Sequence, residues 1–343
     1  MKNMQESLAS AKHLKILKIL KRAKGKYVSG ESISEKANVS RAAIWKHISA
    51  LRRYRYDIVS RQGQGYKLAK VSDHLLPWEI RDGLRTQLIG NEIHHFNVID
   101  STQDLAIRMA EENVPEGIVV IGERQKRGRA RVGRKWIAPK GGIWLSAILR
   151  PKIPTAESTI LPLVVALAVC NAIRDVCKVN ARVKWPNDVV INGKKVAGTL
   201  VEMSCEADRV NYIVIGIGVN ANVSVRNIES RIKETDGYYG ATSLMKERGK
   251  ELDRIVLVRS ILNELESLYL ELEKEGSDMI IQSWNDLSAT LGNNVTVLQN
   301  EICLEGKAVG IDYDGALLVK LLNGDIRRVV AGDVYVRVRT VKT

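Results

Sequence analysis

The hydrophobic residues of this chain change their period twice, and each change marks a different kind of folded unit. From His13 to Lys24 (HLKILKILKRAK) Leu and Ile recur at three- and four-residue steps, the period of an amphipathic helix. Gly25 ends it. Ser29-Gly30-Glu31-Ser32 opens a second short helix through about Lys36, with a serine placed to cap it. After the turn Asn38-Val39-Ser40, a third helix capped by Ser40 runs from Arg41 to Arg53. Helix, short turn, helix is a helix-turn-helix arrangement. Two short strands on either side of the basic loop Arg61-Gln62-Gly63-Gln64-Gly65 would add a wing.

From about residue 90 the pattern is mixed. Apolar runs at Gly117–Glu123, Ile143–Leu149, Ala181–Lys184, Val189–Ile191, Val196–Met203 and Tyr212–Val219 predict strands. Thr102–Glu112, Ala156–Cys177 and 251–274 predict helices. After Leu291 short Val/Leu-rich runs are joined by Asp314-Gly315 and Asn323-Gly324, both hairpin signals. The fold class is therefore α/β (α+β) and multidomain. It comprises a winged helix-turn-helix over 1–70, a linker over 71–85, a central mixed α/β domain over 86–288 and a small β-barrel over 289–343. A chain of 343 residues suits more than one domain.

Charge is spread unevenly over these units. Residues 1–70 hold 17 Lys+Arg against 4 Asp+Glu, whereas the other 273 hold 36 against 35. A basic head on a neutral body favours nucleic-acid binding over a merely solubilising surface. On the third helix Ala43, Ile44, Ile48 and Leu51 face the core. Ser40, Arg41, Ala42, Trp45 and Lys46 are left toward a DNA groove, with Arg52, Arg53 and Arg61 suited to phosphates. Trp45 suits the core equally well. A hydrophobic content of 45% excludes a mainly disordered chain. No charge-free apolar run reaches the roughly 18 residues of a membrane span, and the start lacks the apolar run of a secretory signal. Cys170, Cys177, Cys205 and Cys303 form no C-x-x-C pair, and the first two fall on one helix face as core residues. A cytoplasmic protein with reduced thiols is the simplest expectation.

Two clusters carry chemistry. The first is Gln125-Lys126-Arg127-Gly128-Arg129-Ala130-Arg131-Val132-Gly133-Arg134-Lys135-Trp136. Arginines this dense repel one another unless an anion or water lies between them, and the glycines let backbone approach a ligand. Trp136 offers a flat face to an aromatic base. A mobile loop closing on a nucleotide's phosphates explains all three features; a solvated basic loop explains only the charge. The second cluster is Lys184-Trp185-Pro186-Asn187-Asp188, followed by the turn at Asn192-Gly193 and by Lys195. Asn187 and Asp188 are oxygen ligands of the kind Mg²⁺ accepts beside phosphates. Lys195 suits a carboxylate that must approach a triphosphate, although a turn acid and a hairpin lysine are usually solvated. Gly216-Ile217-Gly218-Val219-Asn220 ends a strand where missing side chains leave room for a ligand wall.

In order, Ser101-Thr102-Gln103, GRARVGRKW, KWPND, KKVAGTLVE and GIGVN resemble the motifs of the biotin–protein ligases. The head and C-terminal module resemble the bifunctional form, which also represses biotin genes. The resemblance covers nearly the whole chain. It implies a central domain related to class II synthetase-like folds and an SH3-like C-terminal barrel. It also implies an ATP-dependent, AMP-forming biotin–[acetyl-CoA-carboxylase] ligase: biotin and ATP give biotinyl-5′-AMP, whose acyl group passes to a lysine of a biotin carboxyl carrier protein.

By that resemblance Ser101, Thr102, Gln103 and Gln125 line the biotin pocket, with Gly216 and Gly218 along its wall. Arg129, Ala130 and Arg131 lie over the carboxylate and phosphate, and Lys195 binds the carboxylate and steadies developing charge. Lys195, Arg129 and Arg131 thus form the catalytic set. Trp136 covers the adenine; Arg134, Asn187, Asp188 and Asn220 serve ATP, with Asp188 toward Mg²⁺. Biotinyl-5′-AMP acts as corepressor by favouring a homodimer on operator DNA, and no membrane partner is expected. The alternatives are a ligase without an operator role and a biotin-sensing winged-helix regulator without catalysis. One position departs from the family's G-R-G-R-x-G-R loop: Ala130 stands where a glycine is usual. A positive φ there would weaken adenylate retention; simple tolerance is the plainer expectation.

Overall fold

The computed structural model describes residues 11–152, 154–206, 209–226, 240–299 and 302–336. The first ten residues, part of the stretch read for a leader, lie outside them. Contacts divide the chain into two units, through Glu79 and from Ile80.

The first unit contains α1 (Ala11–Arg22), α2 (Gly30–Ala37), α3 (Arg41–Arg53), β1 (Asp57–Arg61) and β2 (Gly65–Lys70). Both serine caps form: Ser29 Oγ accepts from the Ser32 amide at 3.1 Å, and Ser40 Oγ from that of Ala43 at 3.2 Å. Asn38 leaves α2 in the left-handed region, φ 53°, which asparagine tolerates. Ile16, Leu17, Leu20, Ile33, Ile44, Ile48 and Leu51 meet in one core. Trp45 is 63% exposed, which settles its place on the outer face of α3 beside exposed Arg41, Ala42 and Lys46. Arg52 is partly committed elsewhere, since its Nε and Nη2 donate to the Ile58 carbonyl at 2.9 and 2.6 Å and tie α3 to β1. The stretch after β2 packs rather than dangles. Leu76 and Trp78 join the head's core, Trp78 Nε1 donates to Tyr56 Oη at 2.8 Å, and Lys21 pairs with Glu79 at 2.7 Å.

α4 (Pro77–Arg81) leads into the second unit. There the chain forms β3 (Ile93–Phe96), α5 (Thr102–Glu111), β4 (Val119–Gly122), β5 (Gly128–Arg129), β6 (Lys135–Trp136) and β7 (Ile143–Leu149). α6 (Leu161–Cys177), β8 (Arg182–Lys184), β9 (Asp188–Ile191), β10 (Lys194–Glu206) and β11 (Arg209–Val219) follow. Then come α7 (Leu244–Arg248), α8 (Arg254–Glu275) and α9 (Asp278–Asp286). The seven-stranded sheet has the order β3-β4-β7-β11-β10-β9-β8, parallel at β3–β4 and antiparallel elsewhere. α5 packs on β4, β7 and β11, while α6 packs on β8–β10 and against α8.

The segment Ser158–Cys177 is long and apolar enough to cross a membrane, but 72% of its most apolar window is buried inside this unit. Arg174 and Asp175 keep it from being charge-free. Burial pushes the Cys170 thiol up to about 12 and raises that of Cys177, so both are inert core residues. Strands β12 (Asn294–Gln299), β13 (Ile302–Ile311), β14 (Leu317–Lys320), β15 (Ile326–Val329) and β16 (Asp333–Val336) form the C-terminal antiparallel sheet, order β15-β14-β13-β12-β16. Gly315 (φ 87°) and Gly324 (φ 93°) make the two expected hairpins. The sequence did not predict the helices α4, α7 and α9, the strand β3, whose IHHF has no apolar run, or the β5–β6 hairpin inside the arginine-rich loop.

Two predictions arise from buried polar groups. Glu266 on α8 is 6% exposed and accepts from the Gln87, Leu88 and Ile89 amides at 2.6, 2.8 and 2.6 Å. Glu266→Ala orphans three donors and should lower unfolding free energy by about 2–4 kcal/mol, measured by denaturant titration; a loss under about 1 kcal/mol would refute the anchoring role. In the head, His13 on α1 and His47 on α3 stack edge to face at 4.7 Å. Burial first, then the charges of His47 and Arg53 at His13 and of Lys12 at His47, hold both imidazoles below the usual 6.5. Above 6.5 folded and unfolded chains are both neutral there. Below it the unfolded chain takes protons first, so the head loses stability as pH falls. Hydrogen exchange of the α1–α3 amides should weaken less between roughly pH 7 and 5.5 in His47→Gln than in the parent; equal slopes would contradict the pairing.

Candidate active site

The site is built on β7, β11 and β10, where Ser146, Gly216 and Leu200 lie side by side in register. Gly216 is required by the helix above it: a Cβ there would stand 2.6 Å from Gln103 Oε1. Ser101 is the N-cap of α5, accepting from the Asp104 amide at 3.2 Å, and so sets Thr102 and Gln103 over the sheet. The Thr102 amide and Oγ1 donate to Gln125 Oε1 at 2.8 and 3.2 Å. Ser146 Oγ lies 2.9 Å from Thr102 Oγ1 and 3.0 Å from Gln103 Oε1. These side chains form a compact polar clamp, and Thr102, Gln103 and Ser146 are buried.

Opposite stands the arginine-rich segment, a β5–β6 hairpin in which Gly128 pairs with Trp136. A Cβ on Gly128 would stand 2.5 Å from the Trp136 carbonyl oxygen, which explains that glycine. Ala130 is extended, φ −132° and ψ 178°, a conformation open to any residue. The left-handed positions are Val132 (φ 54°) and Gly133 (φ 68°). The strain considered for Ala130 therefore lies two residues on, at a valine that is 80% exposed.

Each arginine holds a protein oxygen. Arg129 pairs with Asp104 at 2.9 Å and Glu202 at 2.5 Å. Burial opposes its charge, but the two carboxylates outweigh burial and raise its pKa. Arg131 donates to Asn187 Oδ1 at 3.1 Å and to the Gly332 carbonyl at 3.5 Å, and burial lowers its pKa. Arg134 pairs with Asp333, whose hydrogen bond raises its pKa.

The third wall is the β8–β9 turn and the start of β10. Lys195 Nζ lies 2.5 Å from Asp188 Oδ1 and 5.2 Å from the Trp136 ring centroid. Trp136 lies over two glycines: a Cβ would stand 3.0 Å from its ring at Gly198 and 2.7 Å at Gly218. Lys184, 8% exposed, is pulled down to about 8 by burial and by Lys195, with Asp188 and Asp333 opposing.

Together these walls enclose a cavity of about 580 Å³, within the size range of small-molecule sites. Its lining brings together Thr102, Gln103, Gln125, Arg129, Ala130, Arg131, Arg134, Trp136, Asn187, Asp188, Lys195, Gly216 and Gly218. Ser101 and Asn220 are not part of it. Ser101 acts through the cap, and Asn220 is 3% exposed with its Nδ2 donating to the Thr242 carbonyl at 3.1 Å. Sequence reasoning named Lys184 in its cluster without a role and missed Ser146 and the C-terminal residues Asp333, Val334 and Tyr335, all in the lining. Ser146 had a signal, a hydroxyl at the centre of the apolar strand IWLSAIL; Asp333 had none. Six Lys/Arg and two Asp line the cavity, so one half is rich in cations while the clamp offers neutral hydrogen-bonding groups.

Three family models match the chain. An HTH domain matches residues 12–67, the biotin/lipoate A/B protein ligase family matches 95–220, and the biotin protein ligase C-terminal domain matches 290–337. The chain is 35% identical to the bifunctional ligase/repressor BirA of Bacillus subtilis over 93% of its own length and 97% of that protein's. It is 33% identical to BirA of Escherichia coli over 94% and 97%. Biotin protein ligase from Aquifex aeolicus in complex with biotin and ATP superposes with a TM-score of 0.60 and 29% identity, covering 72% of this chain and 99% of that one. Fold, site and similarity agree: the chain belongs to the biotin protein ligase family, in the form that carries an N-terminal helix-turn-helix domain.

Proposed function

We propose that the protein is a biotin–protein ligase that also represses biotin genes through its basic head. One observation carries the reading: a clamp of neutral hydrogen-bonding groups and a cluster of cations face one cavity, matching a ligand that is a neutral ureido ring at one end and a carboxylate beside a triphosphate at the other. The biotin carboxylate attacks the α-phosphorus of ATP, giving biotinyl-5′-AMP and pyrophosphate. The ε-amine of a carrier-domain lysine then attacks the acyl carbon. An amide forms, AMP leaves, and the amine's proton is lost to solvent.

This chain's residues position and neutralise. Thr102, Gln103 and Gln125 orient the ring end, with Ser101 holding the helix that presents them. Lys195 screens the carboxylate from the phosphate, and Arg129, Ala130 and Arg131 close over both. A partly desolvated guanidinium such as that of Arg131 gains more from an anion than a solvated one does. Arg134, Lys184 and Asn187 serve the phosphates, and Trp136 covers the adenine. Asn220 braces the end of β11 from behind. Magnesium fits the donor set: Asp188 is one carboxylate at the cavity wall, and Mg²⁺ beside nucleotides takes one or two with phosphate oxygens and water. Asp188 would hold it, and it would supply further charge neutralisation.

Ser40, Arg41, Ala42, Trp45 and Lys46 would enter a groove of operator DNA, with Arg53 and Arg61 on phosphates and Arg52 split between phosphate and Ile58. Adenylate exchanges the hairpin's partners and orders it, which lowers the entropic cost of homodimer formation; two heads then span a two-part operator. The division at 1–70, 71–85, 86–288 and 289–343 and a cytoplasmic location accompany this reading.

Two experiments test it. Biotin with MgATP should release pyrophosphate, and added carrier domain should be biotinylated, with Lys195→Met slowing adenylation by about 10²–10³. No acyl-adenylate would remove the ligase reading, leaving a sensor; retardation of biotin-promoter DNA unchanged by adenylate would remove the repressor. In the hairpin, Ala130→Gly should leave adenylate release within about twofold, because position 130 is extended. Gly133→Ala, whose Cβ meets nothing within 4 Å, should speed release about fivefold or more through backbone strain alone. The opposite order would refute it.

A further inference from the structure

Glu202 lies outside the cavity lining, yet it touches both halves of the site. It stands on β10 with its side chain 31% exposed. Its Oε1 accepts from Arg129 Nη2 at 2.5 Å, and its Oε2 from Gln103 Nε2 at 3.0 Å. The Gln103 amide nitrogen has one further acceptor, the Val214 carbonyl at 3.1 Å. A carboxylate and a carbonyl can only accept, and an amide nitrogen has two protons. Both protons are therefore consumed, and the orientation of the Gln103 amide is dictated. Its Oε1 must point the other way, toward Ser146 Oγ at 3.0 Å and the cavity. Val214 alone would not suffice, since one acceptor leaves the second proton free to seek another partner.

We propose that Glu202 is a positioning residue with two separable duties. Through Oε2 it fixes Gln103 as a hydrogen-bond acceptor toward the cavity, which selects a ligand that presents an N–H there. Through Oε1 it anchors Arg129 and with it the first strand of the arginine-rich hairpin. The inference rests on the biotin ligase reading, because the N–H it selects is that of the ureido ring. Asp104 shares the second duty, holding the other Arg129 nitrogen at 2.9 Å. Loss of Glu202 therefore loosens the hairpin without freeing it. No other side chain shares the first duty: among the described residues Gln103 Nε2 donates to the Glu202 carboxylate and to the Val214 backbone carbonyl.

The two duties predict a pattern that a general structural role would not produce. Biotin Kd by calorimetry should rise about tenfold in Glu202→Ala and at least as much in Gln103→Ala. In the double variant Glu202→Ala/Gln103→Ala it should equal that of Gln103→Ala, because Glu202 acts on the ring through Gln103. Adenylate release should behave differently: Glu202→Ala should speed it severalfold in both the parent and the Gln103→Ala background. Glu202→Gln should show the same pattern, since its amide cannot accept from both neighbours at once, and it serves if the alanine variant folds poorly. Independent, multiplying effects on Kd would overturn the proposal, as would an unchanged Kd in both Glu202 variants. Parent protein that binds no biotin would instead overturn the ligase reading.

Discussion

The site depends on how a short, cation-dense hairpin finds counter-groups for its own charges. Arg129, Arg131 and Arg134 lie within six positions of one another, and their mutual repulsion in a partly buried setting is large unless each has a counter-group. The fold supplies one from a different element each time: α5 and β10 for Arg129, the β8–β9 turn for Arg131, and the C-terminal sheet for Arg134. The hairpin is thus the meeting point of almost everything in the second unit. This also explains why a small β module sits beside a catalytic cavity. Asp333 belongs to the site through its charge, and Trp185 and Thr159 bind that module by donating to the Gly315 and Asp314 carbonyls.

Protein partners of this kind are exchangeable. A carboxylate that balances an arginine can be displaced by a phosphate with more charge and more acceptors. Where burial is deepest the exchange is most favourable: Arg131 and Lys184 carry charge against desolvation, and an incoming polyanion relieves that penalty for both. Arg129 is different. Of the three hairpin arginines it is the one whose two partners are both carboxylates, and one of them also accepts from the Gln103 amide. The polar clamp and the cationic hairpin are joined at that carboxylate.

Much of this was legible from sequence because the informative residues were local. Cap serines, the period of α3, the Asp314-Gly315 and Asn323-Gly324 turns, and the spacing of the two cationic motifs are short-range signals whose physics does not depend on the rest of the fold. The cavity's missed residues are long-range. Ser146 becomes meaningful only once β7, β11 and β10 are in register, and Asp333 is 199 positions from the arginine it balances. Ser101 and Asn220 show the converse: a motif residue can serve a site by holding a helix start or a strand end without entering the cavity. Ala130 makes the same point at the backbone level, since a loop pattern does not reveal which of its positions turns left-handed.

The arrangement also constrains how ligand state can reach DNA. The hairpin's partners, Asp104, Glu202, Asn187, Gly332 and Asp333, all belong to the second unit, so exchanging them alters that unit and leaves the sequence chemistry of α3 untouched. A head holding one helix against one groove gains little from such a change. Two heads brought together gain the square of their single-site affinity, reduced by the cost of association. Under the proposed function, lowering that cost by ordering the hairpin would be the route by which a small acyl-adenylate acts on an operator, and association and carrier-domain docking would then compete for the same surface.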